Sequence, residues 1–223
     1  MDLFDFATPT LRDFLAEDVF ETISSRARRV RFEPGQALHR RGDGTARLAI
    51  VAQGGLRFGR FHPNGAFTMV GALGPGAHFG DVSVQRSQYT HDVIADGSCA
   101  VDAFDAATVT DLLNELPCLG EALWQASTAR INALAELYED ARTLTVSGRL
   151  AKVLYLHAGR GAIPDGVACL QRDLAALLGV SQVSIGNALK DLERAGLIKA
   201  GYRCVTVPDK AQLKAWLKTS GTA

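Results

Sequence analysis

The chain has 223 residues, 47% of them apolar and 22% charged, which suits folded protein of about two cores and excludes a disordered or fibrous chain. Lys plus Arg balance Asp plus Glu overall, but eleven Lys and Arg face five Asp and Glu from Val146 onward, and 13 face 19 before it. Every lysine lies at or beyond Lys152, so a basic segment follows an acidic one, a distribution that fits phosphate binding by the C-terminal part alone.

The N-terminus, Met1-Asp2-Leu3-Phe4-Asp5-Phe6, is acidic ahead of its hydrophobic residues, and no later run reaches the roughly 18 to 20 apolar residues that span a bilayer. A cytoplasmic protein with no membrane partner is expected. Leu11, Phe14, Leu15, Val19, Phe20 and Ile23 recur at helical spacing and predict an amphipathic helix. From about Arg28 to Phe104 the pattern changes to short apolar runs broken by Pro34-Gly35, Gly42-Asp43-Gly44, Gly54-Gly55, Asn64-Gly65, Gly74-Pro75-Gly76 and Asp96-Gly97. Glycine-bearing turns every ten or so residues predict a small all-β sandwich or barrel. Asn64-Gly65 is the best hairpin turn, because both residues tolerate positive φ.

From Ala106 to about Leu144 helix formers take over, interrupted at Pro117. Leu123, Leu137 and Leu144 share one seven-residue spacing, Ile131 and Tyr138 a neighbouring one, and Leu134 lies beside both. A helix of about seven turns would project past a small β domain and leave this stripe uncovered, so Leu123, Ile131, Leu134, Leu137 and Tyr138 are expected at a two-fold seam between copies of the chain. Thr145 can cap a further helix running to about His157, with a turn at Gly159 to Gly166.

The stretch Gln171 to Leu192 carries the most specific pattern. Leu174, Ala175 and Leu178 make the inner face of a short helix, Gly179 supplies a left-handed residue, Ser181 caps a second helix, and Ile185, Leu189 and Leu192 face inward on it. Ala175 is small where two helices cross closely. The spacing turns Gln182, Val183, Ser184 and Asn187 outward on the second helix's first turns, as base-reading positions of a helix-turn-helix. Gln171, Arg172, Ser181, Lys190 and Arg194 complete the expected DNA-contacting set, with Lys190 and Arg194 reaching phosphates. Leu197-Ile198-Lys199 and Cys204-Val205-Thr206-Val207 around Ala200-Gly201-Tyr202-Arg203 read as a wing, and Pro208-Asp209 as the start of a last helix with Leu213, Trp216 and Leu217 inward.

Cys99, Cys118, Cys169 and Cys204 form no C-x-x-C pair, and His39, His62, His78, His91 and His157 show no close ligand spacing. No metal site and no cofactor are expected. The chain carries no G-x-S-x-G, P-loop or kinase glycine loop, so an enzyme is not expected either.

Taken together these residues resemble the CRP/FNR family of bacterial regulators along essentially the whole chain. Val146-Ser147-Gly148-Arg149-Leu150-Ala151 is similar to that family's hinge-to-helix segment, and Gly179 to Asn187 to its turn and recognition helix. Phe32-Glu33-Pro34-Gly35-Gln36 with Gly42-Asp43, then Gly54-Gly55, then Gly74-Pro75-Gly76 with Phe79-Gly80-Asp81 resemble successive landmarks of its cyclic-nucleotide-type β-roll. The resemblance implies an α+β protein: a jelly-roll-like β-roll sensor domain over 1–116, a dimerisation helix over 117–144 and a winged helix-turn-helix over 145–223. It also implies a homodimer on double-stranded DNA with an inverted-repeat operator, RNA polymerase as a partner, and a small-molecule effector of unknown identity.

The resemblance places an effector pocket at Phe79, Gly80, Asp81, Arg86, Tyr89, Thr90 and Leu134, and there it also departs from the family. Asp81 stands for the glutamate that holds the ribose. Tyr89-Thr90-His91 stands where cyclic AMP binders carry the arginine that neutralises the phosphate, and Arg86 falls too early on the simplest alignment. Leu134 and Ala135 take the positions where polar residues meet the adenine. A phosphate without a guanidinium and a base edge facing leucine would lose several hydrogen bonds, so cyclic AMP is not expected as the effector: the domain reads something else, or nothing small at all. A haem, nitric-oxide or redox sensor using His or Cys is the alternative within the fold, and a ligand-binding module without DNA contact the alternative outside it. The iron–sulfur subtype's N-terminal cysteine cluster is absent. Gln182 and Asn187 suit adenine edges and Val183 a thymine methyl. Leu170 replaces the usual helix-capping hydroxyl residue.

Overall fold

The computed structural model describes residues 8–44, 47–65, 67–80, 88–159 and 165–220. The chain divides into two compact units, residues 2–132 and 133–223, and the division falls inside one long helix.

In the first unit, α1 (Leu11–Phe14) and α2 (Glu17–Ser25) precede strands β1 (Arg28–Phe32), β2 (Ala37–His39), β3 (Leu48–Phe61), β4 (Phe67–Leu73), β5 (His78–Phe79) and β6 (Asp92–Phe104). Helix α3 (Ala106–Glu115) and the start of α4 (Pro117–Thr143) follow. The amphipathic start is two helices rather than one, because Leu15 and Ala16 are extended. Thr10 donates its N–H and its hydroxyl to Asp13 Oδ2 at 2.7 and 2.9 Å, which fixes the first of them.

The strands form one antiparallel sheet in the order β1-β6-β3-β4, with β2 added to β6 and β5 to β3. Gly54-Gly55 and Asp96-Gly97, which the glycine pattern marks as turns, lie within β3 and β6 and partly face each other, Gly55 opposite Asp96. The register shifts on both sides of Gln53, so these glycines bend two long strands by bulging instead of ending them. At Gly54, with φ 76°, any Cβ would collide with the Ser98 carbonyl. Asn64-Gly65 does lie in the β3–β4 hairpin loop: Gly65 has φ 80° and donates to the His62 carbonyl at 2.9 Å.

One core cluster packs helices on the sheet through Leu11, Phe20, Ile23, Ile50, Phe104 and Leu112; a second fills the roll with Val51, Leu56, Phe79, Val93 and Val101. Each such side chain contributes about 1.5 to 3 kcal/mol on burial. The helical stretch breaks at Leu116, and Pro117, which needs no N–H partner at a first helical position, starts α4.

The second unit contains α5 (Val146–His157), β7 (Gly166–Ala168), α6 (Gln171–Leu178), α7 (Gln182–Arg194), β8 (Lys199–Gly201), β9 (Cys204–Thr206) and α8 (Lys210–Ser220). Its small sheet has the order β7-β9-β8. The first wing strand starts at Lys199, two residues later than the apolar pattern suggests, because Leu197 and Ile198 are consumed in the core. Asp209 Oδ1 accepts the N–H groups of Ala211 and Gln212 and so opens α8, with Leu213 fully buried.

Candidate nucleic-acid interface

Thr145 Oγ1 accepts the Gly148 N–H at 3.0 Å and starts α5, whose Leu150, Ala151 and Leu154 are buried. From that helix Arg149 donates to the Leu178 carbonyl at 3.1 Å, satisfying a backbone acceptor at the end of α6. The start of α6 has no such help: Leu170 offers no side-chain cap. Its end is sharp, since Gly179 sits at φ 64°, ψ 35°, the left-handed conformation that costs glycine least. Two residues on, Ser181 Oγ accepts the Ser184 N–H at 3.0 Å and begins α7.

Leu174, Ala175 and Leu178 on α6 meet Ile185, Ala188, Leu189 and Leu192 of α7 or their neighbours in the buried interior. The opposite face of α7 is open. Gln182, Asn187, Lys190 and Arg194 are exposed, and Val183 is 73% exposed despite being aliphatic. Ser184 differs from its three expected companions: it is half-buried, and its hydroxyl lies 2.9 Å from that of Ser181, so it belongs to the cap. Gln171 and Arg172 are exposed at the start of α6, and Gln171 Oε1 lies near Gly186 of α7, where an added Cβ would still have 3.7 Å of clearance.

Arg172 lies 3.5 Å from Asp173 and Arg194 3.2 Å from Asp191, both on the surface. Exposed pairs of this kind are worth about 1 kcal/mol or less, so a phosphate can compete for either guanidinium. The wing adds groups that the helix periodicity could not find. Tyr202 is 92% exposed at its tip, between exposed Lys199 and Arg203, and the Ala200 N–H donates to Glu193 Oε1 at 2.9 Å, tying the wing to α7. The signal available in the sequence was a Gly-Tyr turn flanked by two cations.

In the first unit Phe79 is buried on β5, and Gly80, with φ 87°, presses so closely on the Arg47 carbonyl that no side chain fits. Tyr89 is half-buried; its Oη accepts the Arg47 N–H at 3.0 Å, and its backbone exchanges hydrogen bonds with Gly42 and Asp43. His39 lies between Tyr89 and Phe79, with ring centroids 3.5 and 5.9 Å away. Burial pushes the His39 imidazole down to about 4, against the opposing pull of Asp43 and Asp92. Thr90 is exposed and its hydroxyl lies 3.0 Å from His91 Nδ1. Asp81 and Arg86 lie outside the described residues.

On α4, Ile131 and Tyr138 are 64% and 65% exposed, while Leu134 and Leu137 are half-buried. Leu123 leans on the core of its own unit. Trp124, seven residues before Ile131 and 75% exposed, extends the open row of Ile131 and Tyr138 and was not among the residues expected at the seam. Among the described residues no three His, Cys, Asp or Glu side chains are grouped to hold a metal ion, and no helix is long and apolar enough to cross a membrane.

Known proteins share both units. Residues 29–116 match the family model for the cyclic nucleotide-binding domain, and residues 148–216 that for the Crp-like helix-turn-helix domain. The CRP-like cAMP-activated global transcriptional regulator of Mycobacterium tuberculosis is 25% identical over 191 residues, 82% of this chain and 85% of that one. The cyclic AMP receptor protein of Thermus thermophilus is 27% identical over 213 residues, 93% of this chain and 95% of that one. Among solved structures, the c-di-GMP responsive global regulator CLP of Xanthomonas campestris matches with a TM-score of 0.71 at 18% identity, over 86% of this chain and 99% of that one, a likeness of fold.

Proposed function

The chain belongs to the CRP/FNR family of DNA-binding transcription regulators, and we propose that it works as a homodimer on inverted-repeat operators, with a sensor that does not take cyclic AMP. The observation that carries the DNA-reading half is the left-handed turn at Gly179 leading into a Ser181-capped helix whose open face presents Gln182, Val183, Asn187 and Lys190. Gln182 and Asn187 read adenine edges and Val183 meets a thymine methyl. Ser181, Gln171, Arg172, Lys190 and Arg194 hold the backbone, joined by Lys199, Tyr202 and Arg203 of the wing.

The uncovered stripe of Trp124, Ile131 and Tyr138 on α4 supports a partner copy there, since a heptad-spaced row of large apolar residues is unfavourable in water. In this reading residues 1–116 sense, 117–144 dimerise and 145–223 bind DNA, and RNA polymerase is the partner through which binding acts in the cytoplasm. No catalytic role is proposed. The Tyr89 ring, stacked on His39 and accepting the Arg47 N–H where the resemblance places a phosphate-binding arginine, supports a sensor that does not take cyclic AMP. Relatives of one fold bear printed names with different nucleotides, cyclic AMP in two and c-di-GMP in another, so the fold does not dictate the effector. Repeated selection from a random duplex pool tests the reading: it should enrich two inverted half-sites about one helical turn apart. A pool that stays random would contradict it.

A further inference from the structure

A cavity of about 460 Å³ opens in the first unit between α2 and strands β1, β3 and β6. Glu17, Glu21 and Ser24 line it from α2, and Arg29, Ala52 and Asp102 from the strands. We propose that it binds a small organic cation, an alkylammonium with a short apolar stem. Asp102 stands opposite Ile50, which packs with Phe20 in the helix-side core, while the adjacent Val101 fills the roll. Strand alternation therefore turns the Asp102 carboxylate toward the helices and away from the interior of the roll. Neither His39 nor Tyr89 lines the cavity, and no residue of the DNA-reading helices does.

The charges of the lining decide the sign of the ligand. Three carboxylates, Glu17, Glu21 and Asp102, face two guanidiniums, Arg12 and Arg29. Both guanidiniums are committed: Arg12 Nη1 lies 2.6 Å from Glu17 Oε1, and Arg29 donates through Nε and Nη2 to the two oxygens of Asp102 at 2.8 and 2.9 Å. That bidentate pair is what makes a carboxylate only 3% exposed tolerable at the sheet surface. Glu21 is in no ion pair among the described residues, so the cavity carries one uncompensated negative charge. An anion would meet Glu21 and find both guanidiniums taken.

A hydroxyl on the same helix points the same way. Ser24 Oγ is buried without a hydrogen-bond partner, whereas Thr22 and Ser25 beside it donate theirs to the Asp18 and Thr22 carbonyls at 2.8 and 2.7 Å. Leaving a buried hydroxyl unpaired is unfavourable, and a donor entering the cavity would satisfy it. Glu21 and Ser24 are three residues apart on α2, a spacing that puts side chains on one helix face. A primary ammonium, with its three N–H donors, can be held by the carboxylate and the hydroxyl at once. The neighbouring ring already serves a cation, since Arg12 Cζ lies 4.1 Å from the Phe20 centroid. Phe20, Ala27 and Ala52 give the stem an apolar wall, and the volume is of the size that holds small metabolites.

Calorimetric titration of the full chain with butylammonium chloride at low ionic strength tests it. Saturable binding is expected, weakened about tenfold by Glu21→Gln and unchanged by Glu33→Gln, an exposed acid outside the cavity. Ser24→Ala, which removes the unpaired hydroxyl, should weaken binding while leaving the melting temperature unchanged or higher. Independently of any variant, butylammonium should move the methyl NMR signals of Ala27 and Ala52 in the native protein. No saturable heat up to about 10 mM, equal weakening by Glu33→Gln, full affinity in Ser24→Ala, or unmoved methyl signals would overturn the site. Binding of butyrate as tight as that of butylammonium would overturn its assignment to a cation.

Discussion

Tyr89 stacks on His39 with ring centroids 3.5 Å apart and planes 7° from parallel, joining the end of β2 to a segment fifty residues later. The same tyrosine holds the Arg47 N–H and, through its backbone, Gly42 and Asp43. Tyr89 stands where the resemblance puts a phosphate-binding arginine, and a stacked, hydrogen-bonded ring cannot neutralise a cyclic phosphate. Calorimetry with cyclic AMP should therefore show no binding at micromolar concentrations. Micromolar binding would mean that another group supplies the missing charge.

The stack also predicts how stability depends on pH. His39 has a folded pKa of about 4, mainly because burial disfavours the charged ring, against roughly 6.5 when unfolded. Between those values the unfolded chain binds the extra proton, so the stabilising effect is complete above about 6.5 and is lost as pH falls toward 4. One such group gives a slope of at most about 1.4 kcal/mol per pH unit. His91, also lowered chiefly by burial, acts in the same direction. Urea midpoints measured from pH 7 to 4.5 should fall less steeply for His39→Phe, which keeps an aromatic ring and removes the titration. Parallel profiles for the two proteins would refute the assignment.

On α4 the open stripe and the packed one separate two kinds of variant. Ile131 is 64% exposed, so Ile131→Asp should leave the fold intact while placing a carboxylate in the proposed two-fold seam and shifting the proposed dimer to monomer. Leu123 packs on the core, so Leu123→Asp should instead lower the melting temperature. Sedimentation of a folded Ile131→Asp protein that remains dimeric would move the seam elsewhere.

Local chemistry explains which parts were readable in advance. Gly179, Ser181 and the inward leucines announce the two helices of the DNA-reading motif, because a left-handed residue, a hydroxyl cap and a 3.6-residue period are each properties of a few neighbouring side chains. Gly54-Gly55 and Asp96-Gly97 misled for the same reason: positive-φ glycine serves a bulge as well as a turn, and only the cross-strand partner decides which. Strand β7 has three residues, too few for a period. The contact of the Ser184 hydroxyl with that of Ser181, 2.9 Å away, is a detail of the cap that spacing does not carry. The His39–Tyr89 stack and the carboxylate of Asp92 bridging Arg41 and Phe61 depend on sheet register, which no local pattern carries.

The central claim is that the open face of α7 reads base edges while its flank holds phosphate. Fluorescence anisotropy on a selected operator and on random duplex, at several salt concentrations, tests it most directly. Gln182→Ala or Asn187→Ala should cost about 1 to 3 kcal/mol on the operator and little on random DNA. Lys190→Ala, changing an exposed cation one turn further on, should weaken both duplexes alike and reduce the salt slope by about one unit, since one fewer counterion is released. If Gln182→Ala and Lys190→Ala gave the same losses on both duplexes, this helix would not be the one that enters the major groove.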